Sequence, residues 1–163
     1  MRLTLLLTFA LTACAPAAAT PSPSPLDPRP GERQKLVVER LRSGPQAPEL
    51  TDSARIVVRD GRTWNRYRDA VIRRGESGYE IDFESRMAVI VALGRQPNTC
   101  CTVRVDSAVA TAAEVAVFVT RSRLGAGCVV AEVITYPFAA VRLPLRSLAV
   151  RFVEQEVVTN CRR

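Results

Sequence analysis

The chain has 163 residues, of which 47% are hydrophobic and 24% charged, which gives room for one ordinary domain and excludes disorder throughout. Its formal charge is +7, carried almost wholly by arginine with Lys35 as the one lysine, and histidine is absent. The missing imidazole excludes a Ser-His-Asp or Cys-His hydrolase, a zinc-protease helix and any histidine base, so the sequence is expected to be non-catalytic, with no metal and no cofactor.

Residues 1–13 read as an export signal. Arg2 supplies a short positive start, and residues 3–13 form an uncharged run containing Leu5, Leu6, Leu7, Phe9 and Leu11. That run is too short for a permanent bilayer span, which needs about 20 apolar residues. Its small residues lead straight into a cysteine, and Leu11-Thr12-Ala13-Cys14 resembles a bacterial lipobox. The resemblance implies a diacylglycerol thioether on Cys14, cleavage between Ala13 and Cys14, and a mature chain held to a membrane of the cell envelope through that lipid. Ala15 stands where an aspartate would mark inner-membrane retention, so outer-membrane sorting, facing the periplasm, is favoured if the cell has two membranes. Loss of Arg2 with the signal leaves a charge of about +6.

Residues 14–33 follow as a tether. Pro16, Pro21, Pro23, Pro25, Pro28 and Pro30 stand among Ala, Ser and Thr with almost no large apolar residue, so the segment cannot bury enough surface to fold. Polyproline II extension at about 3.1 Å per residue would hold a domain some tens of ångströms from the membrane. Residues 34–163 are expected to form that domain.

Within it, residues 35–41 read as a first strand or a short helix, followed by breakers at Gly44, Pro45 and Pro48. Ile56-Val57-Val58 marks a strand at 55–59, and Asp60-Gly61 a turn. A helix is expected over 63–74, because Trp64, Tyr67, Val71 and Ile72 share one helical face, with Thr63 as N-cap and Gly75 as stop. The spacing assigns Trp64 to the core rather than to binding. Strand-like runs then occupy 87–93, 102–108, 115–120, 129–135, 139–143 and 148–158, separated by Gly94 with Pro97-Asn98, Gly125-Ala126-Gly127, Pro137 and Pro144. With no helical pattern between them, the expected fold is α+β: a mostly antiparallel sheet meander or partial barrel with one main helix packed on it.

With Cys14 set aside for lipid, Cys100, Cys101, Cys128 and Cys161 remain, an even set that an oxidising compartment joins into two disulfides. A Cys100 to Cys101 bond would be a vicinal one in a strained ring. The expectation is therefore one of two arrangements in which one of these joins Cys128 and the other Cys161. Closing loops of about 30 and 60 residues would stabilise by about 3 to 4 kcal/mol each in the chain-entropy account. Structural bridges are favoured over redox or metal chemistry, because no Cys-x-x-Cys occurs and an adjacent pair makes poor tetrahedral geometry.

Other chemistry is thin. Asp82 with Glu84 is a formal carboxylate pair for glycoside hydrolysis, but without an aromatic platform the two read as exposed or capping acids. Arg55, Arg59, Arg62, Arg66, Arg68, Arg73 and Arg74 are scattered without aromatic interleaving, which marks a solvated surface and not a nucleic-acid platform. Gly125-Ala126-Gly127 leads into a cysteine and a strand, so it is no phosphate-cradling loop.

Ile81-Asp82-Phe83, the run from Met87 through Ala88, Val89, Ile90, Val91, Ala92 and Leu93 to Gly94, the loop 96–102, Thr135-Tyr136-Pro137-Phe138 and Val141-Arg142-Leu143-Pro144 together carry a family resemblance. Over about residues 55–145 the chain resembles the C-terminal domain of the PrcB family, named for a lipoprotein subunit of a bacterial surface protease complex. Trp64 stands where that family often has an aromatic helix. Thr99-Cys100-Cys101 stands where it has Gly-Gly-Tyr, which implies disulfides in place of glycine and tyrosine packing. The resemblance implies a non-catalytic accessory domain that stabilises or assembles a protein partner such as an exported protease. The expected function is a lipid-anchored extracytoplasmic binding or assembly module, contacting its partner through the sheet surface, an edge strand or the cysteine-tied loops. The alternative is a structural envelope lipoprotein without a specific client.

Overall fold

The computed structural model describes residues 27–72 and 79–161. The expected signal 1–13, Cys14, most of the tether and the expected helix stop at Gly75 lie outside the described residues. In chain order the elements are β1 (Gln34–Leu36), β2 (Glu39–Gly44), β3 (Ser53–Val58), α1 (Gly61–Val71), β4 (Arg86–Leu93), β5 (Cys101–Ala110), β6 (Glu114–Leu124), β7 (Phe138–Pro144) and β8 (Ala149–Thr159).

The run of apolar residues in β4 explains the layering. A strand that reads as continuously hydrophobic must be covered on both faces. Met87, Val89, Val91 and Leu93 point to one side, where they pack with Val103 and Ala108 of β5 and Val115, Val117 and Val119 of β6. Ala88, Ile90 and Ala92 point to the other, against Trp64, Val71 and Ile72. The result is three layers: a sheet ordered β1-β5-β6-β8, a sheet ordered β2-β7-β4-β3, and α1 with its neighbouring loops on the outside of the second sheet.

The fold is thus α+β, mostly sheet, with one helix among the described residues, and the sheets do not close into a barrel. It is not a meander. The segment 35–41, ambiguous in sequence, divides at Val37-Val38 between the sheets, with β1 pairing β5 and β2 pairing β7. At the opposite side of the sandwich no ladder joins β3 to β8; there the Arg55 guanidinium donates to the Glu154 carboxylate, Nη2 to Oε2 at 2.8 Å. All described ladders are antiparallel except β6 with β8, which run parallel because the chain leaves β6 for the other sheet, forms β7, and returns.

Two expected boundaries move. The N-cap of α1 is Asp60, not Thr63: the Asp60 carboxylate accepts the Thr63 N–H at 2.8 Å and the Thr63 hydroxyl at 2.7 Å. An ionised carboxylate is the stronger acceptor for the orphan N–H groups, so capping starts three residues earlier. These bonds hold the Asp60 carboxyl below its ordinary range. The helix ends at Ile72, whose N–H donates to Arg68 O at 2.8 Å, short of residue 74. Trp64 packs in the core between α1 and the second sheet, as its spacing requires.

Residues 129–135 form no strand, contrary to their composition; an isolated bridge joins Thr135 to Gln96. This segment is the crossover from β6 in one sheet to β7 in the other, so neither sheet offers it a ladder. At the other end, Asp27, inside the segment read as tether, already packs against the domain. The Asp27 carboxylate accepts the Ser147 hydroxyl at 2.8 Å and lies 3.9 Å from the buried Arg146 guanidinium, which also donates to Gln34 Oε1 at 2.8 Å.

Candidate functional site

The parallel ladder between β6 and β8 runs from Glu114 opposite Ala149 to Leu124 opposite Thr159, and the pairing continues past both strands. The Gly125 N–H donates to Thr159 O at 2.9 Å, Ala126 N–H to Asn160 Oδ1 at 3.0 Å, and Cys161 N–H to Ala126 O at 3.0 Å. Gly125 is required by this closeness, since a Cβ there would sit 2.1 Å from Asn160 Oδ1 and 2.8 Å from Val158 Cγ1. Gly127 turns the chain with φ of 78°, in the left-handed region that glycine tolerates. The clamp sets Cys128 against Cys161 with their Cα atoms 4.8 Å apart, and they form a disulfide.

Cys100 and Cys101 then bond to each other, so neither expected arrangement is present. The reason lies in the register: Cys101 faces Arg123 inside the β5 and β6 ladder, whereas Cys128 and Cys161 lie beyond the ends of β6 and β8, already in contact. Of the two bridges, the one from Cys128 to Cys161 closes a long loop, with a sequence separation of 33.

The crossover is tied down on its far side. Thr99 N–H donates to Ala131 O at 3.1 Å, Ala131 N–H to Thr99 Oγ1 at 2.9 Å, and the Thr135 hydroxyl to Asn98 O at 2.9 Å. Both disulfides, the loop 94–100, the crossover and the tip of β8 therefore occupy one end of the sandwich. Five of the seven exposed large hydrophobic residues among the described residues are here: Val129, which is 96% exposed, Val133, Ile134, Val157 and Val158. The Asp27 contact with Ser147 is at the other end, one length of β8 away, about 33 Å at about 3.3 Å per residue.

Side chains across the sheet brace β8 up to its middle. The Thr120 hydroxyl is buried, donates to Asp106 Oδ2 at 2.5 Å and accepts Gln155 Nε2 at 2.8 Å; Asp106 reaches it because β5 is irregular between Val105 and Ser107. On the opposite face the Arg55 guanidinium beside Glu154 holds that carboxyl below its ordinary range. Glu156, one step further on that face, is about half exposed and meets Arg123 Nε at 3.3 Å. Beyond Glu154 every residue of β8 is exposed.

Asp82 and Glu84 lie in the turn before β4. The Asp82 carboxylate accepts the Ser85 hydroxyl at 2.7 Å and the Glu84 N–H at 3.0 Å, and these bonds hold it below its ordinary range, while Glu84 points to solvent. The pair caps a turn. Several arginines are likewise held by acids across strands, as Arg142 to Glu39 and Arg151 to Glu114. Among the described residues no group of three or more His, Cys, Asp or Glu side chains could hold a metal ion.

Residues 87–144 match the family described as PrcB C-terminal. The chain carries a PrcB-like C-terminal domain. The PrcB-like region starts in β4 and ends with β7, so it takes in the centre of both sheets, the loop with Cys100 and Cys101, Cys128 and the crossover, and leaves β1 to β3, α1 and β8 outside the match. No curated protein and no solved structure matched the chain.

Sequence reasoning named the cysteines of this end but not the residues that shape it. Val157 and Val158 read as ordinary strand residues. Their adjacency carried a signal, because valines on both faces of a strand next to Glu154 and Glu156 fit a strand with neither face fully covered.

Proposed function

We propose that this chain is a lipid-anchored, non-catalytic extracytoplasmic module that binds and stabilises an exported protein partner, an envelope protease being the partner class that the family name implies. The match of residues 87–144 to the PrcB C-terminal family carries this reading. The lipobox-like Leu11-Thr12-Ala13-Cys14 and the proline-rich stretch supply the anchor and spacer. The placement of Asp27 adds support: the N-terminal segment joins the sandwich at the end opposite the exposed valines, so a membrane-held chain would direct Val129, Val157 and Val158 outward.

Two measurements test it together. Intact mass of the mature protein, with and without reduction, should show a chain that begins at Cys14 with a lipid increment and two disulfides. Deletion of the gene should lower the level of a specific envelope protein, read by quantitative comparison of envelope fractions, and a copy carrying Cys14→Ser should fail to restore it. A chain retaining Met1 would remove the anchor. Envelope leakiness without loss of any single protein would instead mark a structural lipoprotein.

A further inference from the structure

We propose that the free edge of β8 is the docking strand of this molecule, and that it takes an extended segment of a partner protein carrying basic residues opposite Glu154 and Glu156 and apolar residues on either side of them. The proposal rests on the binding role stated above and names the surface and the chemistry of its ligand.

The four edges of the two sheets are unequal. β1 has three residues, β2 and β3 have six each, and β2 is further interrupted by a register shift between Arg40 and Arg42. β8 has eleven residues in unbroken register and contains no proline. Short strands, bulges, prolines and charged side chains are how proteins discourage strand addition; β8 has none of the first three, and its charged residues Arg151, Glu154 and Glu156 restrict which strand can add.

The direction of its hydrogen-bonding groups follows from one contact. Thr159 O accepts from Gly125, so the odd-numbered residues of β8 aim N–H and C=O at β6, and the alternation of a strand aims those of Val150, Phe152, Glu154, Glu156 and Val158 outward. Among the described residues no backbone group or side chain bonds to these outward groups. An added strand would find a row of donors and acceptors in place, which is the usual way an extended peptide is held at a sheet edge.

Side chains decide the occupant. A second copy paired about a two-fold axis centred on Glu154 sets it opposite itself, one centred on Gln155 sets Glu154 opposite Glu156 twice over, and one centred on Val153 sets Glu154 opposite Phe152 and Glu156 opposite Val150, so none of these registers gives either carboxylate a cation. Like charges directly across a ladder are destabilising. A segment with lysine or arginine at those two positions reverses the sign of the interaction, and Glu156 is open enough to accept one. Val157 on one face and Val158 on the other, both close to half exposed, then call for apolar neighbours on both faces of the incoming strand. A lipid surface fits less well, because the edge presents carboxylates and directional backbone groups.

The test uses the full chain in detergent micelles and the peptide Val-Val-Lys-Gln-Lys-Val-Val, whose pattern reads the same in both directions and so fits either strand orientation. Its control replaces both lysines by glutamate. In titrations followed by amide resonances, the lysine peptide should shift Phe152, Glu154, Glu156 and Val158 and slow their hydrogen exchange at least tenfold, and should bind at least tenfold more tightly than the control. Glu156→Pro removes an outward N–H without touching a bond to β6, and should abolish binding. Should that variant not fold, Glu156→Lys should instead move the preference toward the glutamate peptide. Equal binding of both peptides, no binding of either, shifts centred on Phe118 or α1, or exchange that slows with protein concentration in the absence of peptide would each overturn the proposal, the last in favour of a second copy. The peptide result does not depend on the lipid at Cys14, so failure here leaves the anchor standing, and failure of the mass measurement leaves the edge standing.

Discussion

β4 and β8 are both rich in β-branched residues, yet one is the most enclosed strand of the molecule and the other the most open. β4 has a ladder on each edge and a core on each face, and seven of its eight residues are buried. β8 has one ladder, and none of its residues is buried. The difference comes from neighbours more than from composition. A strand becomes core when the chain places elements on all four of its sides, and a strand with comparable propensity stays available when the chain stops supplying them.

Perturbations that separate the two regions should differ in size. The largest effect is expected in the layer under β4: Phe138→Ala, which empties space between β7 and the helix side of the sheet, should cost about 3 to 5 kcal/mol in urea unfolding. A loss below about 1 kcal/mol would show that this layer is not the anchor of the fold.

Next comes the clamp at the tip of β8. Converting Cys128 and Cys161 together to serine should cost about 3 to 4 kcal/mol, because the loop they close is long. The same change at Cys100 and Cys101 should cost under about 1 kcal/mol, since adjacent residues close no loop in the unfolded chain. Equal losses for the two pairs would mean that their roles are set by packing rather than by chain constraint.

The side of the sandwich between β3 and β8 should respond to acid. The side-chain bond from Arg55 holds the Glu154 carboxyl below the ordinary carboxylate range, so the pairing stabilises fully above the unfolded value and is lost as pH falls through the lower folded one. Arg55→Gln should therefore flatten the loss of stability below about pH 4.5. Its cost at neutral pH should stay under about 1 kcal/mol, because solvent screens a partly exposed pair. A steeper acid limb in the variant would contradict the assignment. Smallest of all, Val129→Ser at the exposed crossover should change stability by no more than about 0.5 kcal/mol, and a larger loss would reveal packing at this end.

Local signals and partner geometry divided cleanly in what could be read. The Trp64, Tyr67, Val71 and Ile72 face and the β4 run were legible because a period or an unbroken apolar stretch reports burial without knowledge of the partner. The cysteines could be counted but not paired: excluding a vicinal bond was a local argument, and the β6 and β8 register overrode it by bringing Cys128 to Cys161. Residues 129–135 have strand composition but no ladder, because no periodicity records that the chain is changing sheets there. The Asp60 cap was missed by three residues, as both Asp60 and Thr63 are good caps and only the side-chain bond distinguishes them.

The parallel ladder also sets an order of assembly. β8 follows the crossover and β7 in the chain, so its pairing with β6 spans both and, as a long-range contact, is expected to form after the β5 and β6 hairpin. Until then β6 is an edge in its own right, with Val115, Ala116, Val117, Phe118 and Val119 in one stretch and its N–H and C=O groups open on that side. A chain interrupted between β7 and β8 would display that edge to every neighbouring chain. The strand that stays open in the finished molecule is the one that, on joining, covers a stickier edge.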